Sequence, residues 1–153
     1  MKPPPQGWPR ISSALFYDDA ATAIDWLCRA FDFQVRLKVE GENGRIEHSE
    51  LELGDDGLIM VGSTGGAEQP KPAPRKSPRS LEGANTQALC VCVDDVESHH
   101  QRAAAAGAQI LQQPHTVDYG EDYWTDRSYS AVDLEGHQWW FFQRVRDQKP
   151  HGR

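Results

Sequence analysis

The residues best suited to chemistry here are His48 and Glu50, two apart in the run RIEHSELEL. That run alternates as a half-buried strand does, so His48, Glu50 and Glu52 share one face and Ser49, Leu51 and Leu53 the other. A His and a Glu side by side can work as a general acid/base pair. An ordinary solvated sheet face would carry the same residues. Cys90 and Cys92 are also two apart on a predicted strand, and with Cys28 they make an odd count. That spacing does not favour a mutual disulfide, and the three read as reduced, small core residues; a reactive role would need a depressed thiol pKa. His99 and His100 fall on a predicted helix and read as a solvent-facing polar turn. Arg127, beside Asp126, is either half of a structural ion pair or a polar contact for a ligand.

These groups need a frame, and its most telling piece is the stretch 123–144, YWTDRSYSAVDLEGHQWWFFQR. It predicts a β-hairpin, with strands over about 127–132 and 137–143 and a turn at 133–136, where Gly136 supplies the positive φ. Trp139, Trp140, Phe141 and Phe142 in a row call for cover on both faces of the strand. Trp124 belongs to a cavity mouth or to a dimer seam. His137 is a turn residue.

The rest of the chain reads in order. Residues 11–17 form a strand, and Asp19 caps a helix over 20–31 whose Ala23, Ile24, Leu27 and Phe31 make one apolar stripe. Strands follow over 34–40, 45–53 and 58–63. A Gly/Pro/Ser-rich linker or flap occupies 64–86. The pattern then repeats. A strand spans 87–93, Asp94-Asp95 cap a helix over 96–106, Gly107 stops it, and a strand over 109–117 is broken by Pro114, as an edge strand would be. FYDDAATAIDWLCRAFDFQV therefore matches VCVDDVESHHQRAAAAGAQI, and GDDGLIMV matches DLEGHQWW. Long internal repeats of this kind mark duplicated units. The expected fold class is α+β: two tandem β-α-β-β-β modules, 11–63 and 87–145, whose curved antiparallel sheets surround a cavity with the helices outside. Residues 1–10 are a lead-in and 146–153 a tail.

Composition narrows the partners. The chain has 153 residues and a formal charge of −7. With no basic stripe, nucleic acid and anionic membrane surfaces are excluded as natural partners. No apolar run approaches a membrane span, and the N-terminus lacks the apolar core of a signal peptide. A cytoplasmic location is the expectation.

The segments VDDVESHHQRAAAAGA and DLEGHQWWF, in this order on a doubled frame, resemble the vicinal oxygen chelate superfamily, which includes glyoxalases, bleomycin resistance proteins and extradiol dioxygenases. The resemblance covers about residues 10–145. It implies a metal held by His, Glu or Gln at four strand positions. Here those positions carry Ser12, Val61, Ala88 and Trp140, so no metal and no cofactor is expected. What remains is similar to the metal-free branch: a small-molecule-binding protein, with antibiotic or planar/cationic ligand sequestration as a special case. The alternatives are a lyase, isomerase or dioxygenase of the same superfamily with a non-standard site, or a purely structural dimer with Trp140 plugging the cavity. Strand alternation places Phe16, Trp140, Phe142 and Tyr129 as walls, with His48, Glu50 and Arg127 as polar contacts. The resemblance also implies a homodimer.

Overall fold

The computed structural model describes residues 1–65 and 74–148. The chain divides into two compact units, Met1–Ala84 with Leu134–Gly136, and Asn85–Asp133 with His137–Arg153. The middle of the predicted linker, 66–73, and the end of the tail, 149–153, lie outside the described residues.

Unit 1 contains β1 (Ser13–Tyr17), α1 (Ala20–Phe31), β2 (Gln34–Glu40), β3 (Ile46–Leu53) and β4 (Gly57–Ser63). Its sheet runs β1-β4-β3-β2. The β2–β3 and β3–β4 pairs are antiparallel and β1 joins β4 in parallel. The sheet is thus mixed, because α1, β2 and β3 separate β1 from β4 in sequence and bring the chain back in the same direction. The carboxylate of Asp19 accepts the Thr22 N–H at 3.1 Å and starts α1 as expected. Ala23, Ile24, Leu27 and Phe31 are buried, as is Trp26, whose ring meets Phe31 edge-on at 5.0 Å. They cover the sheet face made by Leu15, Tyr17, Leu51 and Val61, all buried. The opposite face, with Ala14, Phe16, His48 and Met60, stays open.

The segment after the undescribed stretch packs on unit 1. Residues Pro78–Leu81 form a short 3-10 helix capped by the Ser77 hydroxyl. Buried Glu135, from the Leu134–Gly136 turn, accepts the backbone N–H groups of Asp18 (2.7 Å) and Asp19 (2.9 Å) and the Ser77 hydroxyl (2.6 Å).

Unit 2 repeats the plan with β5 (Leu89–Cys92), α2 (Val96–Ala105), β6 (Gln109–Asp118), β7 (Thr125–Val132) and β8 (Gln138–Arg146). The order is β5-β8-β7-β6, again with the β5–β8 pair parallel. Asp95 caps α2 through the Glu97 and Ser98 N–H groups. Gly107 ends it at φ 89°. β6 is an edge strand that continues through Pro114, with register shifts between Ile110 and His115 that absorb the missing donor. The helix-side core holds Val96, Ala103, Tyr129, Ala131, Trp139 and Phe141. Tyr129 stacks on Phe141 at 5.1 Å, and the Trp139 indole N–H donates to Asp133 at 3.0 Å.

β8 is covered on one face only. Trp139 and Phe141 are buried, Phe142 is half-buried, and Trp140 is 42 % exposed. Trp140 therefore plugs nothing within its own unit.

Candidate functional site on the open face of unit 1

Register decides which side chains share the open face of unit 1. Ala14 pairs with Met60, Phe16 with Gly62, and Glu50 with Met60. Paired residues point the same way, so Phe16, Glu50 and Met60 lie on one side, joined by His48 one alternation along. Phe16, His48 and Met60 line a cavity of about 210 Å³ with Ala14, Glu47 and Arg75, among others, and Glu50 is joined to it through His48.

Three features give this cavity its chemistry. The Arg75 guanidinium sits 4.6 Å from the centre of the Phe16 ring, inside the range of cation–π attraction. His48 Nε2 lies 3.1 Å from Glu50 Oε1. Glu50, only 7 % exposed, is braced on its other oxygen by Arg36 at 3.4 Å. A carboxylate anchored this way orients an imidazole and fixes which ring nitrogen faces outward. The sequence-predicted residues Phe16, His48 and Glu50 are thus brought together.

Unit 2 has its own open face. Cys90 pairs with Trp140 and Cys92 with Phe142. Ser128 and Ser130 sit opposite Phe142 and Trp140. Arg144 lies over Phe142 at 5.7 Å and over Trp124 at 5.1 Å, and donates to the buried Asp126. Trp124, Trp140 and Phe142 therefore share that face.

Arg127 and Tyr129 do not. Antiparallel pairing sets Tyr129 against Phe141, on the helix side. Tyr129 is fully buried, and its hydroxyl lies 2.7 Å from His99 Nδ1. Burial pushes its phenol well above the usual range, so it stays neutral. Arg127 pairs with Glu97 of α2, and its neighbour Asp126 is taken by Arg144. Both residues stabilise packing under the helix and are not cavity walls. The inward face of β7 is one residue out of phase with the expectation, since its own sequence, TDRSYSAV, mixes polar and small side chains and marks neither face. His99, read as solvent-facing, is buried and packs on Phe141 at 4.4 Å.

The thiols also differ from expectation. Cys28 is half-buried, but Cys90 and Cys92 are exposed and free, so they are not core residues. The alternate residues Leu89 and Val91 take the helix side, paired with Trp139 and Phe141. Burial first, then Asp126 and Cys92, push the Cys90 thiol up.

The superfamily's ion can be tested against these positions. Val61 pairs with Leu15 and is buried on the helix side, so it was placed on the wrong face and Met60 holds the open-face position on β4. Ala88, just before β5, has no donor atom. Trp140 has only an indole N–H. The Ser12 hydroxyl is buried without a hydrogen-bond partner among the described residues and is at best a poor neutral ligand. Among the described residues no three His, Cys, Asp or Glu side chains converge as a metal site would require. These residues do not fit a hard divalent ion.

Residues 10–141 match the sequence profile of the Glyoxalase/Bleomycin resistance protein/Dioxygenase superfamily. The chain belongs to this superfamily. An uncharacterized protein of Mycobacterium bovis is 32 % identical over 141 residues, covering 91 % of this chain and 86 % of the relative. Among solved structures, TioX from Micromonospora sp. ML1 is 32 % identical, with a TM-score of 0.64, 88 % of this chain and 98 % of that chain covered. A lactoylglutathione lyase from Agrobacterium tumefaciens shares the fold at 21 % identity and a TM-score of 0.59, with 93 % and 96 % covered. Arg75 was missed in the sequence because it lies in a Gly/Pro/Ser-rich stretch with no periodicity to place it. Met60 was missed because the parallel register of β1 on β4, which faces it inward, is a tertiary fact.

Proposed function

We propose that this chain is a small-molecule-binding member of the superfamily that works without the classical metal and takes a planar, cationic ligand on the open face of unit 1. The observation that carries this reading is the Arg75 guanidinium over the Phe16 ring at 4.6 Å. The chain's own planar cation already occupies the place where a ligand's would stack. Glu47 and the His48–Glu50 pair supply acceptors at the rim. Antibiotic sequestration is the special case in which that ligand is a toxic aromatic cation. Calorimetric titration with a panel of planar aromatic cations tests it: saturable binding that Phe16→Ala abolishes is the expected result, and silence across a broad panel overturns it.

A second reading rests on a different observation. Glu50 is buried, braced by Arg36 and bonded to a half-buried His48, which is how a protein prepares a histidine general base. On that reading the chain is a lyase or isomerase, and His48→Ala removes turnover while leaving ligand affinity within a few-fold.

The working form is a homodimer. Edge strand β2 is exposed along its whole length and carries Val35, Leu37 and Val39, all exposed. Such an edge invites pairing with a second copy. Light scattering on the wild type and on Leu37→Lys tests this. Among the described residues no helix is long and apolar enough to cross a membrane, and three cysteines outside any disulfide suit the reducing cytoplasm.

A further inference from the structure

Cys90 and Cys92 are the only cysteines of unit 2, and neither has a role in the site proposed above. Both thiols are free and exposed. They lie at alternate positions of β5, beside Trp140 and Phe142 respectively, so both project from the same open face. Two residues along a strand separate their Cα atoms by about 6.6 Å. A disulfide needs Cβ atoms about 3.8 Å apart, and side chains rising in parallel from alternate positions do not reach that. An ion between the two sulfurs closes the gap instead, because two metal–sulfur bonds in line, each about 2.3 Å, add roughly 4.6 Å of span.

We infer that Cys90 and Cys92 form a two-coordinate site for a soft, thiophilic metal ion of the Hg(II) or Cu(I) class. The ligand count selects the ion. Soft sulfur donors favour soft ions. Among the described residues no third His, Cys, Asp or Glu joins them, so ions that need four ligands are disfavoured and those content with a linear pair are retained. Trp140 and Phe142 flank the pair with apolar surface; the hydroxyls of Ser128 and Ser130 share that face, and a soft ion prefers the two sulfurs to such oxygen donors. Binding exchanges bonds without electron transfer. Each S–H bond breaks, each sulfur keeps its electron pair and forms a bond to the ion, and two protons leave to water per ion bound.

The test uses the full-length, reduced protein titrated with Hg(II) in the presence of a monothiol competitor. The expected result is one ion held per chain, two protons released per ion, a sulfur-to-metal absorption band in the ultraviolet and quenching of tryptophan fluorescence. Cys90→Ser and Cys92→Ser each lower affinity at least about tenfold, since the second sulfur binds at an effective concentration that a free thiol does not match. Cys28→Ser leaves it unchanged. Ser is nearly isosteric on an exposed face, and circular dichroism of each variant confirms folding. Wild-type affinity in either single β5 variant, release of one proton per ion, or chains cross-linked by the metal would each overturn the site.

Discussion

Glu135 accepts the backbone N–H of Asp18 at 2.7 Å, although 117 residues separate them in sequence. The same carboxylate holds the Asp19 N–H and the Ser77 hydroxyl. In a turn written Asp-Leu-Glu-Gly, a glutamate looks like a solvated loop residue. In the fold it is buried and satisfies donors at the entry to α1. Glu135→Ala leaves three donors with no acceptor, each worth about 1–3 kcal/mol when buried and unmet. Relaxation and water entry recover part of this, so a net loss of about 3 kcal/mol in chemical denaturation is expected. Glu135→Asp, which shortens the reach, falls between. A loss below about 1 kcal/mol would mean the cluster is solvated.

Arg75 is the internal competitor for the Phe16 ring. Removing it as Arg75→Ala vacates the ring face and tightens binding of an aromatic cation. Cation–π pairs are worth about 0.5–2 kcal/mol according to exposure, so the gain lies between roughly two- and thirty-fold. Titration calorimetry of the variant against the wild type measures it. Weaker binding in Arg75→Ala would show that the guanidinium contacts the ligand directly.

Arg36 and Glu50 are coupled, with the carboxylate nearly buried and the guanidinium about one-third exposed. A double-mutant cycle over Arg36→Ala and Glu50→Ala is expected to return a coupling of about 1 kcal/mol, in the upper range for partly exposed pairs. Added salt reduces it. Glu50→Ala should cost more than Arg36→Ala, because it also releases His48, whereas Arg36 keeps its bond to the Gly7 carbonyl.

Tyr129 is an alkaline sensor of the unit 2 core. Its phenol is raised by burial, so the folded state keeps its proton where the unfolded chain loses it. Stability from this group is complete below the ordinary phenol range, about pH 10, and falls as pH rises from there toward the raised value. Denaturant midpoints measured between about pH 9 and 11 should drop more steeply for the wild type than for Tyr129→Phe. At neutral pH that variant loses the bond to His99, about 1 kcal/mol. Parallel pH profiles for the two proteins would refute the assignment.

Much of the architecture was legible in the chain. Asp19 and Asp95 before apolar stripes, Gly107 after one, and the doubled strand–helix–strand order are local signals, and the helices and most strands lie where those signals put them. On β3 and β8 the alternation was strong enough to assign faces: Ser49 and Leu51 inward, His48 outward, Trp139 and Phe141 buried, Trp140 open. β7 failed because Thr125–Val132 mixes polar and small residues on both faces. Only its pairing with β8 shows that Tyr129 goes under α2.

By itself, then, the sequence determined which segments become helix or strand and that the unit is duplicated, because caps, turns and periodicity act over a few residues. The tertiary structure alone decided that the Met60 side chain and not that of Val61 stands on the open face, that Arg75 reaches Phe16, and that Glu135 reaches Asp18. Each of these depends on strand register or on contacts between residues distant in the chain. A one-residue change of register reverses every face, and no local pattern of residues encodes it.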